Sequence, residues 1–105
     1  MDTLSVSLAG MNAATLGVAV VANNVANANS KDYKAKRVDF EDTAEGGVQA
    51  SQIRESEETL VAGGSNVDLA TEFTSLISYA DTYKINAKVL EVKQEILGTA
   101  MDLKV

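Results

Sequence analysis

Four asparagines fall within seven residues of this chain, at Asn23, Asn24, Asn27 and Asn29, with only alanine and valine between them. Clustered side-chain amides could form an oxyanion hole, donating hydrogen bonds to charge that develops on a substrate oxygen. Such a hole works only beside a nucleophile and a base. The chain has neither histidine nor cysteine, so the commonest general base, the thiolate nucleophile and the usual soft metal ligands are all missing. What remains is a Ser–Lys pair or paired carboxylates. Glu41-Asp42 and Glu55, Glu57 and Glu58 lie close together, but in charged stretches with nothing to anchor them in a pocket. They read as a solvated acidic surface, and they lack the spacing of a calcium-binding EF-hand loop. No catalytic residue, no metal and no cofactor is expected.

The asparagines have two other readings. Asn29 followed by Ser30 suits a helix C-terminus, because asparagine tolerates the left-handed conformation, and Asn27 is a second candidate for the stop. Asn23 and Asn27 lie on one helical face at i,i+4. They are either solvent-exposed or, if buried, paired amides that fix the register of an interface. Charge favours an interface. Residues 1–30 carry a single charged side chain, Asp2, in a chain of net charge −6. That balance argues against nucleic acid as a partner. No basic residue precedes Lys31, as a secretory signal would require. Ser5, Ser7, Asn12, Thr15, Asn23 and Asn24 interrupt the apolar run that a membrane span needs. An almost uncharged arm of this kind is built to meet protein.

The elements that carry these residues follow from periodicity. Leu4, Leu8, Met11, Thr15, Val18, Ala22 and Val25 alternate spacings of four and three, which predicts an N-terminal helix. Gly10 and Gly17, one heptad apart, weaken it by about 1 kcal/mol each relative to alanine, and can let another backbone approach closely. Leu69, Phe73, Leu76, Ala80, Tyr83, Ala87, Leu90, Gln94, Leu97 and Met101 keep the same alternation. This predicts one continuous helix over 68–103, about 54 Å long, with N-caps available at Ser65, Asn66 and Asp68. Lone polar Gln94 could set its register. Tyr79 and Tyr83 either pack in the core or reach a neighbouring subunit. Asp81–Lys84 and Lys88–Glu91 are i,i+3 ion pairs. Segments 34–41 and 47–54 read as two strands joined by a loop at 42–46, and an acidic connector ends in a Gly63-Gly64 hinge. A helix of 54 Å cannot be wrapped by so short a chain. The expected fold is therefore mainly α and elongated: an antiparallel pair of terminal helices with a small β-hairpin between them. Residues 1–30 and 66–105 would form the coiled-coil core, and 31–65 the hairpin and connector.

The segment "LAGMNAATLGVAVVANNVANANSKDYK" at 8–34 resembles the N-terminal signature of flagellar basal-body rod and hook proteins. The tail at 64–103, with "SNVDL" opening it and "YKINAKV" in its middle, is similar to their C-terminal signature. The resemblance implies that the paired terminal helices line the inside of a helical tube, with the β region outside. It assigns Asn23, Asn24, Asn27, Asn29 and Tyr33 to the first motif, and Ser65, Asn66, Val67, Asp68, Leu69, Tyr83, Asn86 and Ala87 to the second. Together with seam residues Leu8, Met11, Val18, Phe73, Leu76, Leu90 and Leu97, most of these form the expected assembly interface. Implied partners are copies of the chain, other rod and hook proteins, and the flagellar export apparatus, with no membrane insertion. The implied location is the rod spanning the periplasm, reached without a cleaved signal peptide.

Two departures stand out. Distal rod and hook relatives have a Thr-Gly or Pro-Gly turn before the tyrosine where this chain has Lys31-Asp32, and a basic or polar residue, often arginine, is usual where it has Asp81. The middle, 41–63, is too short for the large outer domain of hook proteins, which points to a rod-type member. A structural rod subunit that transmits torque is therefore expected. The rival is a free-standing coiled-coil module, a chaperone or regulator of axial proteins.

Overall fold

A computed structural model describes residues 2–103. Helix α1 (Thr3–Ala26) leads to strands β1 (Lys36–Asp42) and β2 (Val48–Glu55), and helix α2 (Leu69–Leu103) closes the order. The molecule measures 69 × 25 × 14 Å with a radius of gyration of 18.2 Å, where a compact chain of this length would have about 13 Å. The mainly α, elongated helix pair with its intervening hairpin is the architecture expected from the sequence.

Asp2 caps the start of α1, its carboxylate accepting a 2.8 Å hydrogen bond from the Ser5 N–H. That bond holds the Asp2 carboxyl below its ordinary pKa. The other end of the helix differs from expectation. Of the two candidate asparagines, Asn27 is the C-cap, and its φ of −105° is not left-handed. Its N–H is shared between the carbonyls of Asn23 and Asn24 at 3.2 and 3.1 Å. Its side chain donates back to the Asn23 carbonyl at 2.9 Å and accepts from Ser30 Oγ at 3.0 Å. The last turn satisfies its carbonyls by tightening, so no left-handed residue is needed there.

The face of α1 turned inward also differs. Ser7, Gly10, Ala14, Gly17, Val21 and Asn24 are buried. They keep the alternation of three and four, but one residue ahead of the line of large side chains. Leu8 is 52% exposed, Thr15 and Ala22 are exposed, and Met11, Val18 and Val25 are half-buried. The reason is close approach. A Cβ on Gly10 would sit 2.7 Å from the Asn86 amide, and one on Gly17 would sit 2.6 Å from the Tyr79 ring. One heptad on, Asn24 bonds Glu72. Thus α2 supplies the knobs, Asn86, Tyr79 and Glu72, and α1 supplies holes one heptad apart. A further heptad step brings Thr3 level with Lys93, whose charge acts on Asp2. By length and composition alone α1 could also cross a bilayer; here its small-residue face is occupied by α2.

The α2 seam is displaced in the same sense. Asp68 caps the helix by accepting from the Ala70 N–H at 3.0 Å. Leu69, Phe73, Tyr83 and Leu97 remain exposed, while Leu76 and Leu90 are half-buried and Gln94 lies outside. Tyr79, not Tyr83, is the tyrosine packed within the fold. Of the expected ion pairs, Lys88–Glu91 forms at 3.5 Å.

The strands pair antiparallel with a bulge: Asp39 faces Gln52 and Phe40 faces Ala50, leaving Ser51 as the extra residue. Ser51 Oγ donates to the Asp39 carbonyl. Gln52 and Arg54 donate to the Asp39 carboxylate and hold its pKa down. Phe40 meets the Tyr79 ring edge-on at 6.2 Å, docking the hairpin on the helices. The Gly63-Gly64 segment is a pinned turn and not a hinge. Gly64 N–H donates to the Val61 carbonyl at 2.8 Å, and Gly64 O accepts from Asp32 N–H at 3.0 Å.

Candidate functional site: a polar knot and the apolar faces outside it

Ala14, Val21 and Ala35 are the small apolar side chains buried here, whereas the largest fully buried side chains are Glu72 and Asn24. Buried polar groups persist only where their hydrogen bonds are made, and here they are. Asn24 Nδ2 donates to the Lys36 carbonyl at 2.8 Å and to Glu72 Oε1 at 2.6 Å. Asn24 Oδ1 accepts from the Lys36 N–H at 2.8 Å and from the Tyr33 hydroxyl at 2.9 Å. All the usual bonds of one amide are made. By holding both backbone groups of Lys36, it substitutes for a neighbouring strand at the start of β1.

The surrounding groups extend this knot. Arg37 Nη1 lies 3.0 Å from Glu72 Oε1, and the carboxylate is 1% exposed. Tyr33 accepts from Asn23 Nδ2 at 3.3 Å while donating to Asn24. Burial, reinforced by the nearby Glu72 charge, raises the phenol's pKa and keeps it a donor. Asn66 performs the same service on the connector. Its Oδ1 accepts from the Ala35 N–H at 2.6 Å, and its Nδ2 donates to the Ser56 and Glu58 carbonyls. Ser65 Oγ closes the ring on the Ala28 carbonyl at 2.6 Å. Chemically the knot offers nothing to a substrate, because its donors and acceptors are consumed internally.

Asp32 connects α1 to the knot with φ of +60°. The backbone here adopts the conformation that glycine accepts without strain. Asp32→Gly is therefore expected to raise stability by about 0.5–1 kcal/mol, and Asp32→Val to lower it by about 1–2 kcal/mol. Urea titrations of both variants check this.

Residues 62–103, from the Gly63 turn through the whole of α2, match the family model described as the C-terminal region of the flagellar basal body rod FlgEFG proteins. The match covers the C-terminal two-fifths of the chain and makes that segment similar to flagellar rod proteins. A comparison with curated proteins gives no match. The rod family is a structural one of the flagellar basal body.

The expected interface residues separate into two groups. Asn24 and Asn66 are buried, and with Asn23, Asn27 and Tyr33 they bind the chain to itself. Asn24 and Asn66 have 0% and 6% of their surface exposed and spend their amides inside the protomer. Asn86 is half-buried over Gly10 and bonds the Thr82 carbonyl of its own helix. Asn29, Leu8, Asp68, Leu69, Phe73, Tyr83 and Leu97 face outward, and Met11, Val18, Leu76 and Leu90 are half-exposed. Sequence reasoning missed the ion pair of half-buried Arg37 with buried Glu72. The available signal was heptad arithmetic: Gly10, Gly17 and Asn24 step in register with Asn86, Tyr79 and Glu72.

Proposed function

We propose that the chain is a structural subunit of the flagellar rod, which assembles through its two terminal helices into a helical tube and transmits torque. The observation that supports this most is the division of the helices into an inner face of small and polar residues and an outer face that keeps large apolar ones. The knot satisfies the protomer internally, yet Leu8 on α1 and Leu69 and Phe73 on α2 stay exposed, on a helix pair whose α1 carries no Lys, Arg or Glu. Apolar faces that the chain itself cannot cover suit contact with further copies or relatives. Head-to-tail contacts that do not close generate a filament.

The test separates folding from assembly. Leu8→Asp and Phe73→Asp alter exposed positions, so each purified variant should keep wild-type helicity by circular dichroism. In cells each should be absent from isolated basal bodies and reduce motility. Incorporation of both at wild-type levels would sink the reading. A stoichiometric complex with one axial protein, and no chain in basal bodies, would favour a chaperone or regulator instead.

A further inference from the structure

The exposed face of α2 holds an apolar ladder that neither seam includes. Ile85, Val89, Val92 and Ile96 follow spacings of four, three and four, and all four are exposed, Ile85 by 64% and Ile96 by 59%. They lie off the line of Glu72, Tyr79 and Asn86 that meets α1. Ile85, Val89 and Val92, with the Lys88 stem, border a shallow depression of about 320 Å³. We propose that this ladder binds a second copy of the same chain, antiparallel, in a weak two-fold dimer.

The pattern is its own complement. Placed antiparallel, Ile85 meets Ile96 of the second copy and Val89 meets Val92, and the two-fold axis repeats each contact. This is the spacing that knobs-into-holes packing requires. Charge selects the direction. On one flank, antiparallel pairing sets Lys88 against Glu95 of the second copy, twice by symmetry. Parallel pairing sets Lys88 against Lys93 instead. Lys88 bonds only an exposed partner, Glu91, in its own helix, so it is free to share its charge. A patch of four apolar residues a side falls at the small end of interface sizes, which implies micromolar dissociation. An isologous contact closes on itself and does not propagate. The dimer would thus cover apolar surface without starting a filament, whatever the chain's role in the flagellum.

Sedimentation equilibrium of the full chain is expected to show a reversible monomer–dimer system. Val92→Asp should weaken it at least about tenfold with helicity unchanged. Lys88→Glu should weaken it several-fold, and Lys88→Glu with Glu95→Lys should restore it. The chain has no cysteine, so Val89→Cys and Val92→Cys can be mixed and oxidised. Antiparallel packing yields mainly the mixed disulfide, and parallel packing yields like-with-like products. The proposal is overturned by a monomer persisting to about 500 µM, well above a micromolar Kd. Indifference to Val92→Asp, predominance of like-with-like disulfides, or open-ended growth beyond the dimer would each overturn it as well.

Discussion

Asn24→Leu is expected to cost at least about 3 kcal/mol, because a buried polar group left without its partner costs about 1–3 kcal/mol. The substitution strands several such groups: the Lys36 N–H and carbonyl, the Tyr33 hydroxyl and one contact of Glu72. For a small domain that is a large share of total stability. Asn24→Asp is the more telling variant, since it keeps the shape and the Oδ1 acceptor. It sets a second carboxylate beside Glu72, where Nδ2 now lies 2.6 Å from Oε1, and turns an acceptor toward the Lys36 carbonyl. Repulsion and burial then raise the new group's folded pKa above its unfolded value. The neutral form is the one the fold accepts, so the variant should be most stable in acid and lose stability as pH rises. The wild-type Asp2 and Asp39 behave oppositely. Their pKa values are lowered from 3.8 in the fold, so their contributions are present above that value and fade as pH falls through the folded pKa. Thermal melts of both proteins from about pH 7 to about pH 2.5, a range that crosses the carboxylate pKa values, test the inversion. Parallel pH profiles would show that the amide is not what holds the knot.

Gly17→Val is expected to remove about 3 kcal/mol or more and to separate the two helices. Removing a mid-helix glycine ordinarily gains helix propensity, so the sign depends on space. At Gly17 a Cβ would lie 2.6–2.7 Å from three atoms of the Tyr79 ring, and that ring is held from the other side by Phe40. Overpacking costs about 1–3 kcal/mol even for smaller intrusions. Gly17→Ala with Tyr79→Leu should recover much of the loss, because the smaller side chain vacates the collision. Gly98→Ala provides the contrast, since nothing lies within 4 Å of that Cβ, and stability should rise by up to about 1 kcal/mol. Denaturant titrations of the four chains decide it, and a stabilising Gly17→Val would refute the close contact.

Helix lengths, their antiparallel pairing and the hairpin were legible in the sequence, because each follows from local periodicity and caps. The inner faces were not. Hydrophobic patterning selects the largest apolar side chains, and Leu8, Phe73 and Leu97 win that contest although they point outward. The line that actually meets α2 is Ser7, Gly10, Ala14, Gly17 and Val21, which carries little hydrophobic signal. It is distinguished by what it lacks in bulk, and its meaning appears only against Tyr79 and Asn86 on the opposite helix. The knot was hidden for a related reason. Asn24, Lys36 and Glu72 are far apart in sequence, and nothing local marks a carboxylate at a helix N-terminus as buried.

The heptad register also sets an order of events for a chain that emerges from the ribosome N-terminus first. Gly10, Gly17 and Asn24 await Asn86, Tyr79 and Glu72, so the first helix is made long before its opposing surface exists. At roughly 5–20 residues per second, the 48 residues from Asn24 to Glu72 take about 2–10 s to be added. Throughout that interval the nascent arm has no native tertiary partner for its glycine-bearing face, and an isolated helix with two internal glycines is marginal in water. The second helix therefore arrives as the template on which the first takes shape.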